Sequence, residues 1–273
     1  MSAPRGLIVN ADDFGFTTDV NAGIVEAHRE GILTAATIMA NGAAFDDAVR
    51  LAASTPSLDI GCHLVLVQGE SVLTPGTPLP RTLEELVRAV ALKRIRIYEE
   101  LVAQVRRALD AGLNLSHLDT HKHTHLLPPV LEAVARISEE FRIRWVRRPF
   151  DFASAGAAAP WTKRAVSRCL GLLEGRFEEV LARHGCLATD HFAGFQITGR
   201  FGAPGLAALI RRLPPGVTEF MCHPGRCRAE LRAAPTRLRE SREVELEALL
   251  APRTKQALEE AGVALVNYRD LSI

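Results

Sequence analysis

Ser116-His117-Leu118-Asp119-Thr120-His121-Lys122-His123-Thr124-His125 holds four of the nine histidines of this 273-residue chain, with a carboxylate among them. Residues 115–120 have strand character and run straight into the histidines, so ligand-type side chains gather where a strand ends. In extended backbone, alternate side chains share a face, which would direct Asp119, His121, His123 and His125 into one cleft. Neutral imidazole is the commonest metal ligand near neutral pH, and carboxylates complete such sites. The competing reading is a solvated histidine-rich loop.

Outward from that stretch, short apolar runs alternate with longer periodic segments, as in repeated βα units. Strands are predicted at 7–9, 33–39, 58–64, 115–120, 143–146, 187–196, 218–222 and 263–268. Helices are predicted from Thr17, Thr18 and Asp19 to Gly31, then over 44–54, 84–110, 130–140, 161–184, 204–212 and within 240–261. Segments 68–82 and 151–160 read as irregular, the first being rich in Pro, Gly and Thr. No linker divides the chain, so residues 1–273 form one α/β domain: an irregular (β/α) barrel of the TIM type with about seven βα units. The pattern alone leaves a doubly wound open sheet as an alternative. The barrel is favoured because Asp12, Asp13, His63, His121 to His125, Arg148 and His223 all fall where a predicted strand ends. Barrel enzymes gather their chemistry at that rim.

Composition narrows the function classes. The chain is 47% hydrophobic and 24% charged, enough apolar matter for a sizeable core. A net charge of +1 gives no whole-chain field that would recruit nucleic acid or an anionic membrane, and the arginine-rich stretch 226–242 is interspersed with acids. Cys62, Cys169, Cys186, Cys222 and Cys227 are scattered and odd in number, which points to reduced thiols. The start, Met1 to Gly6, lacks the pattern of a signal peptide, and no apolar run has the length of an integral membrane segment. A cytoplasmic enzyme is the expectation.

Asp12 and Asp13 stand together at the end of the first strand, where Gly15 lets the chain bend. Beside a cation, one carboxylate can bind metal while the other accepts a proton; the alternative is that one caps the next helix. His63 and His223 taken singly read as core histidines. Several independent ligand-type residues at strand ends shift the balance to a metal site.

These pieces carry a resemblance. Ile8-Val9-Asn10-Ala11-Asp12-Asp13-Phe14-Gly15, Gly61-Cys62-His63-Leu64, His117 to His125, and Cys222-His223-Pro224-Gly225 resemble the YdjC/ChbG family of carbohydrate deacetylases over essentially the whole chain. The resemblance implies an irregular (β/α) barrel that removes acetyl from N-acetylated amino sugars with one divalent metal ion, Mg2+ or Zn2+. It implies Asp13, His63 and His125 as metal ligands and Asp12 as catalytic base. Lys122 stands where the family often has a histidine. Leu64-Val65-Leu66-Val67-Gln68-Gly69 is similar to the branch associated with hopanoid biosynthesis, whose substrate would be a glycolipid rather than a free oligosaccharide. Family members are often homodimers.

In that scheme the cation polarises the amide carbonyl and acidifies water, while Asp12 takes the proton. His223 is the candidate acid for the leaving amine. Asp119, His121 and His123 orient ligands or touch the sugar, and Arg148 binds a hydroxyl or acidic group. Two rivals remain: a His-x-His barrel amidohydrolase or phosphoesterase, with His121 and His123 chelating together, and a non-catalytic metal- or sugar-binding protein.

Overall fold

Parallel strands need a crossover between each pair, and the alternation read from the sequence supplies one. The computed structural model describes residues 5–153, 155 and 159–271; part of the N-terminal stretch Met1 to Gly6 and part of 151–160 lie outside them. β1 (Arg5–Phe14) leads into α1 (Thr18–Glu30), β2 (Ala35–Ile38) into α2 (Phe45–Ala53), and β3 (Asp59–Leu64) into α3 (Leu83–Ala91) and α4 (Ile97–Asp110). β4 (His117–Thr120) enters a tight turn at His121–Leu126 and then α5 (Pro128–Phe141). β5 (Trp145–Val146) precedes α6 (Trp161–Gly171) and α7 (Glu174–Arg183), and β6 (His191–Ala193) precedes α8 (Ala203–Ile210). β7 (Gly216–Cys222) is followed by α9 (Ala229–Ala233), α10 (Glu240–Leu250) and α11 (Pro252–Ala261), with β8 (Val263–Leu265) last.

The sheet order is β5-β4-β3-β2-β1-β7-β6, with β8 on the first half of β1. Every ladder is parallel. The sheet curls, and its two ends approach through the isolated parallel bridges Trp145↔Leu187 and Asp151↔Phe192. The architecture is therefore barrel-like (β/α). The continuous ladder between β5 and β6 that a complete TIM barrel requires is absent among the described residues. The open doubly wound sheet is excluded by this curling.

Two long predicted helices, 84–110 and 161–184, are each broken in two, and the 240–261 region holds a pair. The 84–110 helix stops at Leu92, where Lys93 takes a left-handed φ of 52°. The last pair splits at Ala251, which is extended ahead of Pro252 as a residue before proline prefers. The apolar core lies between sheet and helices, whereas the barrel interior is polar, holding buried Arg147, Glu219 and Asp119. A small apolar plug of Ile8, Ala35 and Tyr268 closes the end opposite the strand C-termini. Gly23 of α1 fixes the rim: a Cβ there would lie 2.5 Å from the Cα of Gly225, so only glycine lets the His223-Pro224-Gly225 loop pack this close. No helix among the described residues is long and apolar enough to cross a membrane.

Candidate active site

The site begins with a defect in β1. Neighbours on a regular strand face opposite ways, yet Asp12 and Asp13 both line one pocket. Asp13 has a left-handed φ of 69°, and the pairing of β1 with β2 shifts register between Ala11 and Phe14. That bulge re-aims the second carboxylate, a use of irregularity common beside active sites. Neither acid caps α1; the cap is Thr17, whose side chain accepts from Val20 N.

Asp13, His63 and His121 converge. Asp13 Oδ1 lies 3.4 Å from His63 Nε2 and 3.3 Å from His121 Nδ1, and the two nitrogens are 3.2 Å apart. Such spacing is roughly the edge of a tetrahedron of ligands about 2.1 Å from its centre. Asp13 Oδ1 is buried without a hydrogen-bond partner, a state that costs roughly 1–3 kcal/mol unless something else meets the oxygen. Its other oxygen is held by Arg242 Nη2. Asp119 Oδ1 lies 2.7 Å from His63 Nδ1, while Asp119 Oδ2 accepts from Thr37 Oγ1 at 3.1 Å. A carboxylate behind a ligating imidazole fixes its tautomer and raises its basicity. The donor set therefore fits a divalent cation.

Asp12, His63 and Asp119 form a second group with ligand spacing. Its oxygens are already engaged. Arg147 donates to Asp12 Oδ1 at 2.7 Å and Oδ2 at 2.9 Å, and lies 2.7 Å from both Asp119 Oδ2 and Glu219 Oε1. One fully buried guanidinium thus faces three buried carboxylates. Burial alone would push the Asp12 carboxyl up, but Arg147, with His63 and His223, holds it well below the usual carboxylate range. Glu219, farther from other cations, is pushed up by burial despite Arg147. His223 Nε2 is 3.8 Å from Asp12 Oδ2. Burial lowers its imidazole to about 4 against the pull of Asp12 and Asp13, so the ring rests neutral. Glu245 accepts from His223 N at 2.6 Å and Gly199 N at 2.7 Å, which anchors the loop after β7.

His63 gives a pH signature. Burial favours the neutral ring, but Asp119, Asp12 and Asp13 overcome it and raise the cation-free imidazole from 6.5 to about 9. A histidine raised on folding contributes stability that is complete below the unfolded value and lost as pH rises through the folded one. The melting temperature of EDTA-stripped protein is expected to fall between pH 6.5 and 9, by the equivalent of about 3 kcal/mol. Saturating zinc should flatten that slope, because the cation replaces the proton. A flat profile without metal would refute the assignment.

Several predicted residues lie elsewhere. The 121–126 segment is not extended: Lys122 and His123 take left-handed φ values of 55° and 51°, so alternation ends at Thr120. His125 is turned away from Asp13 and His63, with Nδ1 2.5 Å from Thr120 Oγ1 and Nε2 3.0 Å from Arg147 O. His121 occupies the place expected of it. His123 is buried in the pocket wall, its ring centroid 5.7 Å from that of Phe195. Arg148 points out of the barrel to Glu174 and Glu178, and it is Arg147 that enters the site. Adjacent residues beyond a strand face opposite ways, which separates Arg147 from Arg148. Arg242, Glu219 and Glu245 were not singled out; Glu219 alone carried a signal, as an acid inside an apolar strand. The pocket over these groups measures about 460 Å³, within the range for small-ligand sites.

The family described as YdjC-like protein matches residues 6–260. This chain belongs to the YdjC-like family. A carbohydrate deacetylase of Brevibacillus brevis is 35% identical, covering 97% of this chain and 99% of its own. A chitooligosaccharide deacetylase of Klebsiella pneumoniae is 32% identical, covering 98% and 99%. Among solved structures, an Enterococcus faecalis protein provisionally assigned to cellobiose-phosphate cleavage superposes with a TM-score of 0.77 at 23% identity, covering 99% of this YdjC-like chain and all of its own, which supports the barrel-like fold.

Proposed function

We propose that this protein hydrolyses the acetamide of an N-acetylated amino sugar, with a divalent cation held by Asp13, His63 and His121. The observation that carries the reading is the convergence of those three side chains on a buried, unpartnered oxygen beside a charged but non-ligating Asp12. The relatives named carbohydrate deacetylase supply the substrate class. When bound, the cation would polarise the amide carbonyl and acidify water. Arg147 keeps Asp12 ionised at any working pH, so its carboxylate is always free of the proton it must accept. His223 Nε2, 3.8 Å from Asp12 Oδ2 and neutral at rest, would relay to the departing amine nitrogen the proton that Asp12 takes from water. Arg242 and Asp119 hold Asp13 and His63 at their angles. Two imidazoles and one carboxylate suit Zn2+ better than Mg2+ on donor softness.

The His-x-His reading needs His121 and His123 to chelate together, and the left-handed turn between them sends His121 to Asp13 instead.

The deciding assay is acetate release from N-acetylglucosamine oligomers and N-acetylglucosaminyl lipids, by EDTA-stripped enzyme reloaded with zinc, magnesium, manganese or cobalt. Release from the lipid alone would place the protein with the hopanoid-associated branch. Metal bound without release from any substrate would leave a binding protein. The ligand set has its own test. His121→Ala should weaken zinc binding by 10²-fold or more in calorimetry, and His125→Ala by less than tenfold. The reverse order would restore His125 as the ligand.

A further inference from the structure

Helix α6 is amphipathic the wrong way round for a soluble domain. Trp161, Ala165, Val166, Cys169 and Leu172 share one side by helical spacing, and that side is the exposed one. Trp161 is 78% exposed, Leu172 85%, Val166 48% and Leu173 42%. These are four of the nine large apolar side chains exposed anywhere among the described residues. The opposite, half-buried side carries Lys163, Ser167 and Leu170. It is fastened to the segment after β6: Gln196 Nε2 donates to Ser167 Oγ at 3.1 Å, and Lys163 Nζ lies 5.1 Å from the Phe195 ring centroid. The polar side of α6 thus borders the catalytic pocket, and its apolar side meets water.

Charge selects the occupant of that face. Lys163, Arg164 and Arg168 lie within residues 161–173, and no acidic residue does. Arg164 and Arg168 are exposed and lie along one edge of the apolar stripe. A two-fold axis passing through this edge of the helix would bring those arginines near their own counterparts, a like-charge contact. An anionic bilayer meets both features at once. Trp and Leu enter the headgroup boundary while the guanidinium groups stay at phosphate level on their flexible stems. We infer that α6 docks the protein onto a membrane surface rich in anionic phospholipid, with the rim of the active-site pocket beside the lipid headgroups. The whole-chain charge of +1 does not oppose this, because the attraction is local to one helix and acts within about a Debye length.

The test is co-sedimentation of the full chain with vesicles of phosphatidylcholine alone and of phosphatidylcholine mixed equally with phosphatidylglycerol, read together with intrinsic fluorescence. Trp161 is one of two tryptophans, and the other, Trp145, is half-buried in the barrel, so insertion should shift the emission to the blue. The expected results are partition onto the mixed vesicles with that shift, and at least a ~25-fold weakening in the Arg164→Glu, Arg168→Glu double variant. Trp161→Ser with Leu172→Ser should lose sedimentation with the mixed vesicles while the melting temperature stays unchanged, since both side chains are exposed. No partition onto the mixed vesicles would overturn the inference, as would partition that survives the charge reversal. A chain that is dimeric without lipid, turns monomeric in the Trp161→Ser, Leu172→Ser variant and ignores both vesicles would show that a second copy covers α6.

Discussion

Asp12→Asn is expected to reduce acetate release by on the order of 10²- to 10⁴-fold with metal content unchanged. Asp12 lies beside the ligand cluster without belonging to it. Arg147 engages both its oxygens, whereas Asp13 leaves one oxygen free for a cation. Asparagine keeps the shape and one acceptor for Arg147 but cannot take a proton from water. Metal analysis and turnover on the same preparation therefore separate the two acids: Asp13→Asn should lose both, Asp12→Asn turnover alone. If Asp12→Asn loses its metal too, the Asp12, His63 and Asp119 grouping is the true site and the base lies elsewhere.

Much of this site could be read before the fold was known, because barrel chemistry sits at strand ends and strand ends are visible in sequence. Asp12, Asp13, His63 and His223 all occupy that rim. The histidine that meets Asp13 was legible as part of a cluster but not as a residue. Choosing among His121, His123 and His125 required the backbone after Thr120, and two non-glycine residues in left-handed conformation leave no compositional trace. The same holds for Asp13, which takes a left-handed φ of 69° itself in addition to the bend expected at Gly15, whose φ is 98°. Arg242 could not be found at all, since it reaches Asp13 across 229 positions of sequence from the first turn of a helix whose pattern looks like any solvated face. The exposed side of α6 was hidden for the opposite reason: apolar periodicity predicts a helix correctly but presumes that the apolar side turns inward.

Arg147→Met should cost more stability than any other single change in the site. Breaking one buried ion pair by removing a partner typically costs about 3–5 kcal/mol, because the other charge is left uncompensated. Here Asp12, Asp119 and Glu219 all lean on one guanidinium. For a chain of this size, such a loss lowers the melting temperature by roughly 10 °C or more. Methionine fills much of the volume, so a cavity is not the cause; the sign of the pH dependence shows this. Without Arg147, burial pushes the Asp12 and Glu219 carboxyls up with their main opposing cation gone, so the folded variant binds more protons than its unfolded chain. Its stability must then rise as pH falls toward 5, and the gap to the parent protein must narrow between pH 8 and pH 5. A gap of constant width over that range would assign the loss to packing. Arg147→Lys should fall between the two, since a single ammonium cannot reproduce the two-pronged contact with Asp12 while reaching Asp119 and Glu219.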